Sequence, residues 1–175
     1  MAVAINPIRL HGKWDLGFAL DTHVIESIPL GEDAYGHLRF ESTRSPIGEL
    51  LYQFKYNGRY DNLTEIVDTI KSFLSTQPEM QNIETILPVP PTKARSYQPT
   101  LEIAQALAKE LKVFYCNDVL ENYSQIEAKG LSADEKYQLV GAIVKKKPAT
   151  RKHSTLLIDD LYQTGTTLNQ CTSLL

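Results

Sequence analysis

Cysteine is scarce in this chain: Cys116 and Cys171 are the only two, they lie far apart, and neither has a partner at C-x-x-C spacing. That excludes a disulfide framework and a structural zinc site, and it fits a reducing compartment. Long apolar runs are missing as well. No stretch approaches the roughly 20 apolar residues that a spanning helix needs, and the opening "MAVAINPIRLHGKW" has no apolar core behind a basic flank. The sequence therefore predicts a cytoplasmic protein with no membrane partner. Charge of one sign is absent too. Eighteen Lys and Arg against 21 Asp and Glu leave a net charge of -3, which gives no global attraction to nucleic acid or to an anionic bilayer. No G-x-x-x-x-G-K-[ST] occurs, which removes the Walker A class of nucleotide site. Internal repeats and low-complexity segments are lacking.

What is present is an ordinary globular composition, 42% hydrophobic and 22% charged over 175 residues, enough for one domain with a sizeable core. Two regions differ in pattern. Residues 1–50, with "WDLGFALDTHVIESIPL" and "HLRFEST", show partial period-two alternation broken by Gly31 and Gly36, which predicts a β-rich segment with a hairpin or short meander. Residues 51–175 alternate helical and strand-like stretches. Leu63, Ile66, Val67, Ile70, Phe73 and Leu74 recur at helical spacing, with Asn62 and Glu65 placed as a capping pair. "IETILPVPP" reads as a buried strand that must stop at Pro88 or Pro90, since proline donates no ladder hydrogen bond. Thr100–Leu111 reads as a helix with Pro99 at its first turn, and Lys112–Tyr115 as a second strand.

Farther on, polar and aperiodic Asn117–Lys129 predicts a mobile loop, and Ser132 with Glu135 predicts a helix running to about Val144. Thr155–Ile158 is a continuous apolar run of the kind buried in a parallel sheet. Strands alternating with helices imply an α/β architecture, a parallel sheet flanked by helices around a Rossmann-like core.

The densest chemistry lies in "STLLIDDLYQTGTTLNQC", Ser154 to Cys171. In an open α/β sheet, ligands bind beyond the carboxyl ends of the strands, where Asp159 and Asp160 fall. The turn Gln163, Thr164, Gly165, Thr166 and Thr167 offers backbone N–H groups, hydroxyls and a glycine that permits close approach. With a helix starting near Thr166, its N-terminus adds partial positive charge, and the whole suits a phosphate monoester. The two carboxylates repel that phosphate, so their partners are vicinal hydroxyls or a magnesium ion. A ribose 5-phosphate carries both groups at this separation.

"LLIDDLYQTGTTL" resembles the phosphoribosyl-pyrophosphate (PRPP) motif of the type I phosphoribosyltransferases: an apolar strand, two acids, two intervening residues and a Thr-Gly-x-Thr loop. Three further stretches resemble the ComF-like, competence-associated branch of that family. They are the Lys-Tyr-x-Gly of Lys55, Tyr56 and Gly58; the strand end Pro88-Val89-Pro90 with a basic loop; and Gly130-Leu131-Ser132 at a helix start. The resemblance covers roughly residues 38 to 175. It implies a type I phosphoribosyltransferase-like fold with a hood formed by residues 1–50, and transfer of phosphoribosyl from PRPP to a nitrogenous base or amine with release of pyrophosphate. It assigns the catalytic and magnesium-associated role to Asp159 and Asp160, the 5-phosphate to Gln163–Thr167, and the pyrophosphate to Thr92, Lys93 and Arg95. It also implies a lid between Asn117 and Lys129, with Tyr123 and Lys129 as contacts.

Such proteins commonly begin with a cysteine-rich zinc module, for which this chain has no cysteines. They continue the helix after the phosphate loop and add a strand, so the chain reads as short at its C-terminal end. The acceptor is a small molecule that the residues do not identify, and a homo-oligomer is compatible with the pattern.

Two other functions fit the same residues. One is a non-catalytic PRPP- or nucleotide-binding protein. The other is an accessory protein in DNA uptake, as the ComF resemblance suggests, using the basic cluster Lys145, Lys146, Lys147, Arg151 and Lys152, which equally suits a solvated connector. Lys55 reads as a surface lysine with the acids within reach. His11, His23, His37 and His153 have no partner at ligand spacing, and Trp14 and the tyrosines read as packing residues.

Overall fold

The computed structural model describes residues 1–91, 96–123 and 143–175. Its elements run β1 (Ile8–Arg9), β2 (Phe18–Ala19), β3 (Val24–Glu32), β4 (Leu38–Arg44), α1 (Pro46–Tyr56), α2 (Asn62–Ser75), a single 3-10 turn at Pro78–Met80, β5 (Thr85–Pro88), α3 (Pro99–Leu111), β6 (Phe114–Tyr115), β7 (Leu120–Asn122), β8 (Ile143–Lys145), β9 (Thr155–Ile158) and α4 (Thr166–Leu174).

The centre is a three-stranded parallel sheet in the order β6-β5-β9. Its middle strand is the stretch before the prolines. Thr85 to Pro88 is fully buried, and β5 ends at Pro88 as proline chemistry requires. Side chains alternate across the sheet, so neighbouring residues enter different cores. Ile86, Leu156 and Ile158 face α2 and α3, against Val67, Phe73, Leu74, Ala104 and Leu107. Leu87, Val89 and Leu157 face the other way, toward Leu168 and Cys171 of α4 and toward Leu120 and Ile143. Helices thus cover both faces of a parallel sheet in a mixed α/β fold. Among the described residues β9 lies at the sheet's edge, with Leu156 to Ile158 half-buried. The burial expected of both strands holds fully for β5 and only in part for β9.

Each flanking helix has a local cause. Ser45 caps α1 by accepting a hydrogen bond from the Gly48 N–H at 3.1 Å, with Pro46 at the first turn. The α2 apolar stripe falls where its spacing predicts, but its cap differs. Asp61 takes the N-cap position without a side-chain cap, and the Asn62 side chain donates to the Leu50 carbonyl at 3.1 Å, tying α2 to α1. Pro99 opens α3 as expected, and α3 ends at Lys112 in the left-handed region at φ 56.

Two expectations fail around residues 117 to 145. Leu120–Asn122, within the segment read as a mobile loop, is a strand pairing antiparallel with Ile143–Lys145, which the helix expected to reach Val144 would have covered. β-Branched Ile143 and Val144 suit a strand, and Leu120 and Ile143 bury against Leu87 and Cys171. Gly130, Leu131 and the Ser132–Glu135 helix start, with Lys129, lie outside the described residues. The N-terminal region does form a hairpin, β3 with β4. Residues before it pack into the main core. Phe18 meets Phe73 edge-to-face at 5.1 Å, and the Lys13 side chain donates to the Ser173 hydroxyl on α4 at 2.9 Å. No helix among the described residues is long and apolar enough to cross a membrane.

Candidate functional site

Strand pairing fixes where the acids stand. In the β5–β9 ladder Pro88 sits beside Ile158, and the Val89 N–H donates to the Ile158 carbonyl at 2.8 Å. Both strands therefore run out at the same carboxyl edge, where the topology of an open parallel sheet puts ligands. Asp159 and Asp160 follow β9 directly. The strand leading to Thr92, Lys93 and Arg95 ends beside them, while those three residues lie outside the described residues.

The two carboxylates have different surroundings. Asp160 Oδ2 accepts a hydrogen bond from Lys55 Nζ at 2.6 Å, in an ion pair whose side chains are each only 15% exposed. Lys55 is therefore not the surface lysine its neighbourhood in sequence suggested, since the last turn of α1 aims it at the motif. Asp159 has no such cation against it. Burial pushes its carboxyl up to about 6, and the Asp160 charge adds to the effect. The Asp160 N–H, donating to Asp159 Oδ1 at 2.9 Å, and the Lys55 charge oppose it in part. The pair thus combines one carboxylate hydrogen-bonded to a lysine with one that burial pushes up to about 6. Perturbed acids at a sheet's carboxyl edge are characteristic of functional sites.

Beyond the acids the chain turns sharply into α4. Gly165 occupies the N-cap position at φ 71, in the left-handed region, and no side chain caps the helix there. A Cβ at Gly165 would meet the Tyr162 hydroxyl at 2.9 Å, so both conformation and contact demand glycine. The Thr164 and Thr166 hydroxyls lie 2.9 Å apart and exposed, beside the first N–H groups of the nine-residue helix α4. Those groups have no intrahelical partner, and they carry the positive end of the helix dipole. The helix starting near Thr166 is as expected. Gln163 is exposed and Thr167 half-buried at the same turn.

His23, to which the sequence assigned no role, belongs to this neighbourhood. Its imidazole is shifted down, first by burial and then by the charges of Arg44 and Lys55, while Asp160 and Glu49 oppose the shift. Its Nδ1 is buried without a hydrogen-bond partner. A cavity of about 2110 Å³ runs past this point along β9, lined by residues between Ile8 and Asp21 and from Lys145 to Ile158 as well as by His23, Gly48, Leu51, Asp159, Asp160 and Tyr162. That exceeds the roughly 300–1,000 Å³ of an ordinary small-ligand pocket. Neither His23 nor Lys55 could have been found by spacing, because each meets the motif only through the fold. Cys171, also close, is inert: burial, followed by the Asp159 charge, pushes its thiol up to about 12.

The remaining candidates lie elsewhere. In the basic cluster Lys146 pairs with Glu121, Lys147 with Asp118 and Arg151 with Glu84. Much of its charge is thereby compensated within the chain. His37 and His153 sit near Asp33 and Glu84 respectively, away from the acids. Among the described residues no group of three or more His, Cys, Asp or Glu is arranged to hold a metal by itself. Asp159 and Asp160 nonetheless offer hard carboxylate oxygens, which suit magnesium bound chiefly by a ligand's own oxygens and one or two acids. Comparison with protein-family models, with curated proteins and with solved structures finds no match for this chain.

Proposed function

We propose that the chain is a type I phosphoribosyltransferase-like protein that binds PRPP with magnesium at the carboxyl edge of β9 and transfers its phosphoribosyl group to a nitrogenous base or amine. The observation that carries this reading is one juxtaposition. Two adjacent carboxylates, Asp159 and Asp160, stand a short turn before a Gly165-capped helix N-terminus lined with threonine hydroxyls. The turn suits a dianionic phosphate and repels nothing in it, while the acids accept hydrogen bonds from vicinal hydroxyls and repel a phosphate. A ribose 5-phosphate satisfies both at once.

The chemistry follows from charge. The acceptor nitrogen's lone pair forms a bond to C1 as the C1–O bond breaks, and the bonding electrons leave with pyrophosphate. Positive charge develops on the ribose ring, and the Asp159 and Asp160 carboxylates face it. The turn at Gln163–Thr167 holds the 5-phosphate and so fixes the ring against the acids. Lys55, paired with Asp160, holds that carboxylate in place. Asp159 and Asp160 would hold a magnesium ion, which would supply charge neutralisation for the departing pyrophosphate. Thr92, Lys93 and Arg95 belong to the pyrophosphate in this reading, since they follow in sequence the strand β5, which ends beside the acids.

Pyrophosphate release tests turnover. With PRPP, magnesium and a panel of purine and pyrimidine bases and simple amines, the chain should release pyrophosphate in step with consumption of one acceptor, and Asp160→Asn should abolish release. PRPP binding without release for any acceptor would favour the non-catalytic sensor. Absence of PRPP binding would overturn both.

A further inference from the structure

The β3–β4 hairpin serves no part of the proposed site, yet it is the most apolar exposed feature of the molecule. Every residue of β3 is exposed, as is β4 from Leu38 to Glu41. Ile25, Ile28, Leu30, Tyr35, Leu38 and Phe40 all face solvent, with Leu38 62% and Phe40 53% exposed. Leu38 and Phe40 share one face of the ribbon with Pro29, while Ile28 lies on the other face with Glu41.

The two edges of the ribbon are unequal. β3 carries Pro29, which cannot donate a ladder hydrogen bond, and the register slips on either side of it leave Ile25 and Leu30 as extra, bulged residues. Prolines and bulges are devices that close a strand edge. β4, Leu-Arg-Phe-Glu-Ser-Thr-Arg, has neither. It is a regular strand whose outer edge is open to pairing, and its charges are self-complementary about one residue. An antiparallel pairing of two β4 strands around a two-fold axis at Phe40 places Phe40 against Phe40, and Arg39 of each copy opposite Glu41 of the other. Shifting the axis by one residue to Glu41 would set Glu41 of one copy against Glu41 of the other.

We infer that this edge is a homodimerisation surface: two copies of the chain join through β4, with the axis at Phe40, into a four-stranded sheet β3-β4-β4-β3. The interface is isologous, as a two-fold dimer requires. Main-chain hydrogen bonds supply pairing, Leu38 and Phe40 the apolar burial, and the two Arg39–Glu41 pairs the register.

Sedimentation velocity on the full chain tests it, with charge reversal as the control for register. The wild type should sediment as a dimer at micromolar concentration. Arg39→Glu and Glu41→Lys, each placing two like-charge pairs across the axis, should each weaken dimerisation by roughly tenfold or more. The double reversal Arg39→Glu/Glu41→Lys should restore it. These positions are exposed, so the variants keep their fold, and circular dichroism checks that they do. A wild type that stays monomeric to about 100 µM overturns the proposal, which is also the outcome if a different protein covers the hairpin. Dimers indifferent to the single reversals overturn it equally, because they would form through another surface.

Discussion

Asp159 carries the sharpest residue-scale prediction, because its buried carboxyl titrates near 6 in the fold against the ordinary 3.8. A raised acid favours folding only while it is protonated. Its contribution is full below about pH 4 and is lost as pH rises through 6, so above that range the charge costs stability. Asp159→Asn should therefore be more stable than the wild type at pH 8, by about 2–3 kcal/mol at most, and the difference should vanish in thermal melts near pH 4. An Asp159→Asn chain no more stable at pH 8 would contradict this burial. Gly165→Ala should go the other way. Left-handed strain and the clash with the Tyr162 hydroxyl should cost about 1–3 kcal/mol, read by urea titration, and should weaken phosphate binding at the same turn. The Cys171 thiol, raised to about 12, should resist alkylation in the native state and react only on unfolding. At this scale the sequence was legible where residues act as neighbours in the chain. Asp159, Asp160, Gly165 and Thr166 form one contiguous motif. Lys55 could be read only as a lysine able to reach the site, with a surface position the stronger reading, and His23 was not legible, since only the packing of α1 and of the residues before β3 brings them to it.

Among the elements, local signals served well when the signal and its cause lay in the same stretch. The α2 stripe, the Pro99 start of α3, the proline stop of β5 and the start of α4 were all read from a few residues. What failed was non-local. Leu120–Asn122 and Ile143–Lys145 are strands only because each pairs with the other across a long separation and both bury against Leu87 and Cys171. β5 was legible as a buried strand, but periodicity could not reveal that, among the described residues, β9 lies half-buried at the edge beside it. That difference is measurable. Ile86→Ala in β5, at a wholly buried site, should cost about 2–5 kcal/mol, and Leu156→Ala in half-buried β9 distinctly less. Equal losses in urea titrations would contradict the edge position. Lys112→Gly should stabilise α3 by roughly 0.5–1 kcal/mol, since glycine relieves the left-handed φ of 56 at its end.

For the whole molecule, the parallel sheet gathers the functional candidates at one edge. β5 and β9 end together, the lysine of α1 reaches the second acid, and α4 turns its N-terminus to the space beyond them. None of the hairpin's residues lines the cavity at the acids. Ligand binding at the edge and assembly through β4 are therefore separable, and a variant that abolishes one should spare the other. The central claim is that the acids and the turn together recognise a phosphorylated ribose, and thermal stabilisation by ligand tests it most directly. A ligand that binds only the folded chain raises its stability, by about 2.7 kcal/mol at a hundredfold excess over Kd. PRPP with magnesium should raise the melting temperature more than ribose 5-phosphate does, and Asp159→Asn/Asp160→Asn should remove the added effect of PRPP. No shift at millimolar PRPP, or a shift indifferent to the double substitution, would contradict the account.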